Sequence, residues 1–324
     1  EIYTLSLHDA LPISSWLLLV IVLLFAGKLY LQKISKVSLG ASYTNPQTYG
    51  TFFAPSMIAT PIDEAVASRA SWLAESLTCE ACLVVEKNSK QILFAKNATT
   101  PHYPASTTKI ITALVANEIY PEETLFTLTA ADLAAGNILN LRVGEVLSKR
   151  ELLEALLIAS ANEAGTIFAN HSPGGYQDFV AQMNSKAKRL NLSQTHFTNP
   201  QGYDDYLQQS SAKDLALASL ELLRYPNLSQ IVAKNSGSLR HNGRPIYYQS
   251  TNQLFFLPHS YQVKGVKTGT EKLAKQVLVS LLAKDNHELL VVVLSAQNRY
   301  NDTLKLADFT FSNFVWRQEQ INSL

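Results

Sequence analysis

The chain has 324 residues, 47% of them hydrophobic and 16% charged, enough for a sizeable core in one or two domains. Its formal net charge is +1, which leaves no electrostatic footprint for a nucleic-acid partner. Cys79 and Cys82 form a single C-x-x-C pair, too few sulfur ligands for a four-ligand zinc site. They can close a small disulfide outside the cytoplasm or pack inward as small apolar residues.

Residues 1–14 have no clear periodicity and read as the in-frame translation of a sequencing adapter, so they are excluded from fold reasoning. Trp16 to Gly27 is an unbroken apolar run. As a helix it reaches about 18 Å, against ~30 Å for a bilayer core. Lys28 can snorkel at an end while Leu29, Tyr30 and Leu31 continue the run. Residues 15–33 therefore read as a signal core or an N-terminal membrane anchor. The lack of an Ala-x-Ala site after Gly27 favours the anchor. Either sends the body outside the cytoplasm, to the extracytoplasmic face of a cell membrane. Residues 34–60, rich in Ser, Thr, Gly, Pro and Asn, read as a linker, and the body as 61–320.

Within the body, residues 62–78 read as a helix. Ala81 to Glu86 and Gln91 to Phe94 read as a strand hairpin. A helix is expected from Pro104-Ala105-Ser106 to about Glu118. Further helices are expected over 147–170, 175–190 and 211–224, from apolar spacing at i, i+3 and i+4. Arg240 to Arg244 reads as a turn between strands. Gln276 to Ala283 and Glu288 to Ser295 read as a second hairpin, and 300–318 as a closing helix. Strands at both ends with helices between predict an α+β fold. Its antiparallel sheet would be closed by the chain ends and flanked by helices, with an all-helical insertion over about 120–235.

Three short motifs fall in this frame: Ser106-Thr107-Thr108-Lys109, Ser160-Ala161-Asn162 and Lys267-Thr268-Gly269. Residues i and i+3 share a helix face, so Lys109 stands one turn from the Ser106 hydroxyl. A lysine can act as base to a serine nucleophile if burial and a neighbouring positive charge lower its pKa. Lys267 can supply that charge. Ser160 can relay a proton to a leaving amine, and Asn162 can bind both a substrate carbonyl and a lysine. Lys267 and Thr268 on an edge strand can hold a substrate carboxylate, while Gly269 lets backbone approach backbone. The N–H groups of Thr270 and Ser106 can form an oxyanion hole. Taken singly, each motif is better explained by a helix cap, a helix-terminal polar pair or a solvated strand end. Their order and local settings make one acyl-transfer site the better reading.

In these motifs the chain resembles the penicillin-binding D-alanyl-D-alanine carboxypeptidases, from about Ala81 to the closing helix. Pro104-Ala105-Ser106-Thr107-Thr108-Lys109 resembles the family's nucleophile block. Phe197-Thr198-Asn199-Pro200-Gln201-Gly202, Ser210-Ser211-Ala212-Lys213-Asp214 and Thr251-Asn252 with Leu254 resemble three further segments. The resemblance implies a β-lactamase/transpeptidase-like fold and removal of the terminal D-Ala from peptidoglycan stem peptides ending in D-Ala–D-Ala. It also implies β-lactams as covalent inhibitors of Ser106, and no metal or organic cofactor. Two positions depart from it: Glu271 stands where threonine is expected, and Lys275 where glycine is expected. Endopeptidase, β-lactamase and catalytically silent peptidoglycan-binding readings compete. The β-lactamase reading is disfavoured because no glutamate lies between Glu163 and Glu221. The silent-binder reading is disfavoured because Ser106, Lys109, Ser160, Asn162 and Lys267 are all present.

Overall fold

The computed structural model describes residues 57–133, 137–241 and 244–318. The apolar run at Trp16 to Gly27 lies outside them. The described chain opens with strand β1 (Met57–Pro61) and helix α1 (Val66–Ser76). The hairpin strands β2 (Ala81–Glu86) and β3 (Ile92–Lys96) follow. A 3-10 turn, Ala105–Thr108, runs directly into α2 (Lys109–Ile119). Then come β4 (Leu125–Thr127), α3 (Ala130–Leu133), β5 (Val146–Ser148), α4 (Lys149–Leu157) and α5 (Asn162–Asn170). Three more helices are α6 (Gly175–Arg189), α7 (Ala212–Leu223) and α8 (Pro226–Val232). The chain ends through β6 (Ser236–His241), β7 (Arg244–Gln249), β8 (Gln262–Glu271), β9 (Lys275–Lys284), β10 (His287–Ala296), α9 (Arg299–Asn313) and β11 (Phe314–Gln318).

The main sheet is antiparallel, in the order β3-β2-β10-β9-β8. Its central strands are apolar on both faces because both faces are covered. Ala81, Leu83 and Val85 pack with α2 and the insertion helices in one cluster, while Cys82 and Val84 pack with α1 and α9 in the other. Cys79 and Cys82 are both buried free thiols. Helix α2 lies between the sheet and the insertion, and every residue from Lys109 to Ala116 is buried. A helix apolar nearly all round belongs in such a place. β8 is an edge strand, so one side of its backbone is free of sheet partners.

The α+β sandwich of sheet and helices is as the sequence predicts, with three local corrections. The stretch 147–170 is two helices, because Ser160 adopts a left-handed φ of 62° between α4 and α5. The insertion is not all-helical: β4 and β5 pair within it, and Ser148 ends that pair by capping α4 in a reciprocal box with Glu151. The closing helix stops at Asn313, and β11 turns back to pair with β1. That pairing draws residues 57–60, which read as linker in the sequence, into the body beside Pro61. Phe314, Val315 and Trp316 suit a strand as well as a helix face, and the Ile62 N–H closes the corner on Asn313 O at 3.0 Å.

Asp302, fully buried in the first turn of α9, ties this end to the sheet. It accepts from Thr78 N at 3.1 Å and Thr78 Oγ1 at 2.7 Å. Replacing Asp302 by Ala strands those donors, and the stability lost is expected to be about 2–3 kcal/mol. Urea unfolding of the two proteins measures it. An unchanged midpoint would mean that the anchor carries no stability.

Candidate active site

Ser106 is half-buried in the 3-10 turn that precedes α2. The turn is strained: Ala105 holds a φ of 46°, which costs on the order of 1 kcal/mol for a residue with a Cβ. Two glycines make room for it. A Cβ on Gly202 would lie 2.0 Å from Ala105 O, and Gly202 itself has a φ of 90°. A Cβ on Gly269 would lie 2.9 Å from both Ala105 Cβ and Ser106 N. The nucleophile turn is thus pressed between the Gly202 loop and strand β8.

Lys109 is fully buried, and its Nζ has three neighbours at 2.7 Å: Ser106 Oγ, Asn162 Oδ1 and Gln201 O. Burial lowers its pKa to about 7, against weaker opposition from the charges of Glu271 and Glu163. A neutral amine has two N–H groups and one lone pair. Asn162 Oδ1 and Gln201 O can only accept, so the neutral amine donates to both. Its lone pair is then left for the Ser106 hydroxyl, the one partner able to donate. This is the arrangement a general base needs.

The insertion builds the second wall. The turn at Ser160 starts α5 so that Asn162, its first residue, meets Lys109. Tyr203 lies within hydrogen-bonding reach of Asn162, and burial raises its hydroxyl pKa. The loop through Gln201 is locked from several sides. Asn199 Oδ1 accepts from the N–H of Gly202 and of Tyr203, Thr112 Oγ1 donates to Pro200 O, and Gln201 Nε2 donates to Thr166 Oγ1. These bonds fix the Gln201 carbonyl at the amine.

Strand β8 is the third wall. Lys267 is 1% exposed and its pKa is held well below the ordinary lysine value, mainly by burial and then by the charges of Lys109 and Arg299. Thr268 Oγ1 shares a hydrogen bond with Thr251 Oγ1, from the Thr251-Asn252 segment. Arg299 Nη1 donates to Gly269 O and Thr270 Oγ1, each at 2.7 Å.

The structure therefore joins Ser106, Lys109 and Asn162 by hydrogen bonds and packs Gly269, with Lys267, Thr268 and Thr270 beside it on β8, against the nucleophile turn, while Ser160 lies in the turn that precedes Asn162. Three contributors escaped the motif reading: the Gln201 carbonyl, Tyr203 and Arg299. A main-chain carbonyl has no side-chain signature. Arg299 did leave a signal, since a cation in the first turn of a helix opposes the macrodipole and needs compensation elsewhere.

Residues 67–298 match the D-alanyl-D-alanine carboxypeptidase family of peptidases, and the chain belongs to it. A D-alanyl-D-alanine carboxypeptidase of Bacillus subtilis is 33% identical over 72% of this chain and 62% of its own length. The chain thus spans less than two thirds of that relative. A D-alanyl-D-alanine endopeptidase of Pseudomonas aeruginosa is 28% identical over 77% of this chain and 82% of its own. The crystal structure of penicillin binding protein 6B from Escherichia coli superposes with a TM-score of 0.69. It is 27% identical, over 76% of this chain and 81% of that one.

Because Lys109 must be neutral to accept a proton, acylation is expected to rise with pH through a midpoint near 7 and then level off. Second-order rates of penicillin adduct formation across pH 5–9 measure this, and a flat profile would remove Lys109 as the base. Gly202→Ala is expected to slow acylation at least ~100-fold, since the new Cβ must push the nucleophile turn aside.

Proposed function

We propose that this chain is a peptidoglycan D,D-carboxypeptidase that acts through an acyl-enzyme on Ser106. The observation that carries the reading is the buried Lys109 amine, 2.7 Å from Ser106 Oγ, with its two N–H groups committed to obligate acceptors. Ser106 Oγ attacks the carbonyl carbon of the penultimate D-Ala as its proton passes to Lys109. The oxyanion is received by the N–H groups of Ser106 and Thr270. Breakage of the C–N bond releases D-Ala, whose amine takes a proton from Lys109 relayed through Ser160. Water then attacks the ester, loses a proton to Lys109, and returns Ser106 to its hydroxyl form.

Lys267, Thr268 and Arg299 supply the positive charge and hydroxyl that a terminal carboxylate requires. Asn162, whose oxygen is held by Lys109 and whose amide also reaches Tyr203, has an N–H to offer a substrate carbonyl. β-Lactams enter by the same attack on Ser106 and remain as esters. The apolar run at 15–33 supports an N-terminal tether, or a cleaved signal, that places the site outside the cytoplasmic membrane beside its substrate. The Pseudomonas aeruginosa relative favours a second reading, hydrolysis of D-Ala cross-links by the same residues in a more open cleft.

Residues 57–324 incubated with a D-Ala–D-Ala pentapeptide and with labelled penicillin test the proposal. Release of D-Ala and a stable adduct on Ser106 are expected, and both vanish in Ser106→Ala. Lys109→Met is expected to lower acylation ~10³-fold while leaving the thermal unfolding transition cooperative. Cleavage of cross-linked dimers alone would move the assignment to endopeptidase, and rapid penicillin turnover would move it to β-lactamase.

A further inference from the structure

Side chains alternate along a strand, so Lys267, Gly269 and Glu271 share one face of β8. The approach of Gly269 to Ala105 and Ser106 identifies that face as the one lining the cleft. Glu271 is the carboxylate that acts most strongly on Lys109. Its neighbour in charge is Asp204, from the loop that begins at Gly202. Asp204 Oδ2 accepts from Leu273 N at 2.9 Å, while its Oδ1 is sealed from water with no hydrogen-bond partner. Burial and then the charge of Asp204 raise the Glu271 pKa, and the charge of Lys109 opposes them. An acid thus stands in the cleft wall where the resembling family places threonine.

Its position along the strand gives it a substrate partner. β8 is an edge strand, and an extended peptide can lie along it. With the terminal carboxylate at Lys267 and Thr268 and the scissile carbonyl at Ser106 and Thr270, the acyl part of the peptide runs on toward Glu271. From Thr268 to Glu271 is about 10 Å at ~3.3 Å per residue. The third residue from the carboxyl end of an extended peptide lies about 7 Å from the last, and its side chain covers the remainder.

The geometry points to Glu271, backed by Asp204, as the residue that selects acyl donors carrying a primary ammonium on the residue before D-Ala–D-Ala. The inference rests on the carboxypeptidase reading above and narrows its substrate. Glu271 touches the substrate at a distance from the reacting atoms, so its effect belongs in discrimination between substrates.

The probes are two peptides, Nα-acetyl-L-Lys-D-Ala-D-Ala with its ε-amine free or acetylated. The native protein is expected to show a kcat/KM about tenfold higher on the free amine, a preference that shrinks as salt is raised. Glu271→Thr is expected to bring the ratio near one, and Glu271→Asp to restore part of it. Thermal melts of each variant establish that it is folded, and the ratio within one variant is insensitive to its overall activity. Equal rates on the two peptides by the native protein would overturn the inference, as would a preference that persists in Glu271→Thr. Failure to cleave either peptide would instead overturn the carboxypeptidase reading.

Discussion

The site depends on keeping an uncharged amine inside the protein. An ammonium at the position of Lys109 would be costly in a dry interior, whereas a neutral amine with three partners at 2.7 Å is not. Burial therefore does two things at once. It removes the proton from the base, and it makes the base depend on partners that fix its lone pair on Ser106. The carboxylates of Glu163 and Glu271 oppose this by stabilising the ammonium. Lys267 is held down in the same way, first by burial and then by the charges of Lys109 and Arg299. The balance leaves Lys109 near neutrality, where a base can both take and return a proton.

No single element could supply that environment. Ser106 and Lys109 come from the start of the helix between the layers, Asn162 and the Gln201 carbonyl from the insertion, and Lys267 from the edge of the sheet. The glycines at 202 and 269 bring the two outer walls into backbone contact with the nucleophile turn. Positive φ at Ala105 and Ser160 is the strain that results, and both lie in the motifs that carry the chemistry. The large cores on either side of the sheet supply the rigidity that holds those two residues there.

What was legible in the sequence was whatever the side chains themselves encode. Ser106 and Lys109 share a face at i and i+3 in any helical turn. The Val and Leu runs of β9 and β10 can only be strands buried on both faces. The break at Ser160 was not legible, because apolar spacing continues through it from Leu152 to Phe168 and only the backbone reverses. The end of α9 was hidden similarly, since Phe311, Phe314 and Val315 extend a helical stripe although the last two lie in β11. Gln201 contributes a carbonyl that any residue could offer. Its side chain nonetheless matters, because the bond to Thr166 helps hold that carbonyl in place.

The edge position of β8 connects fold to chemistry most directly. A sheet edge is ordinarily a hazard, a row of unpaired backbone groups open to any strand. Here the nucleophile turn packs against the face of that edge strand at Gly269, so closely that a Cβ there would clash. Whatever extended segment lies along β8 is carried to Ser106 in a register set by its own carboxyl end. On the proposed reading, recognition of a short peptide needs few side chains: Lys267, Thr268 and Arg299 at its terminus, and the strand itself to align the rest. A residue placed two positions past Gly269 on the cleft face meets the acyl portion in every such complex. A change of charge there can redirect substrate choice while the catalytic set stays the same.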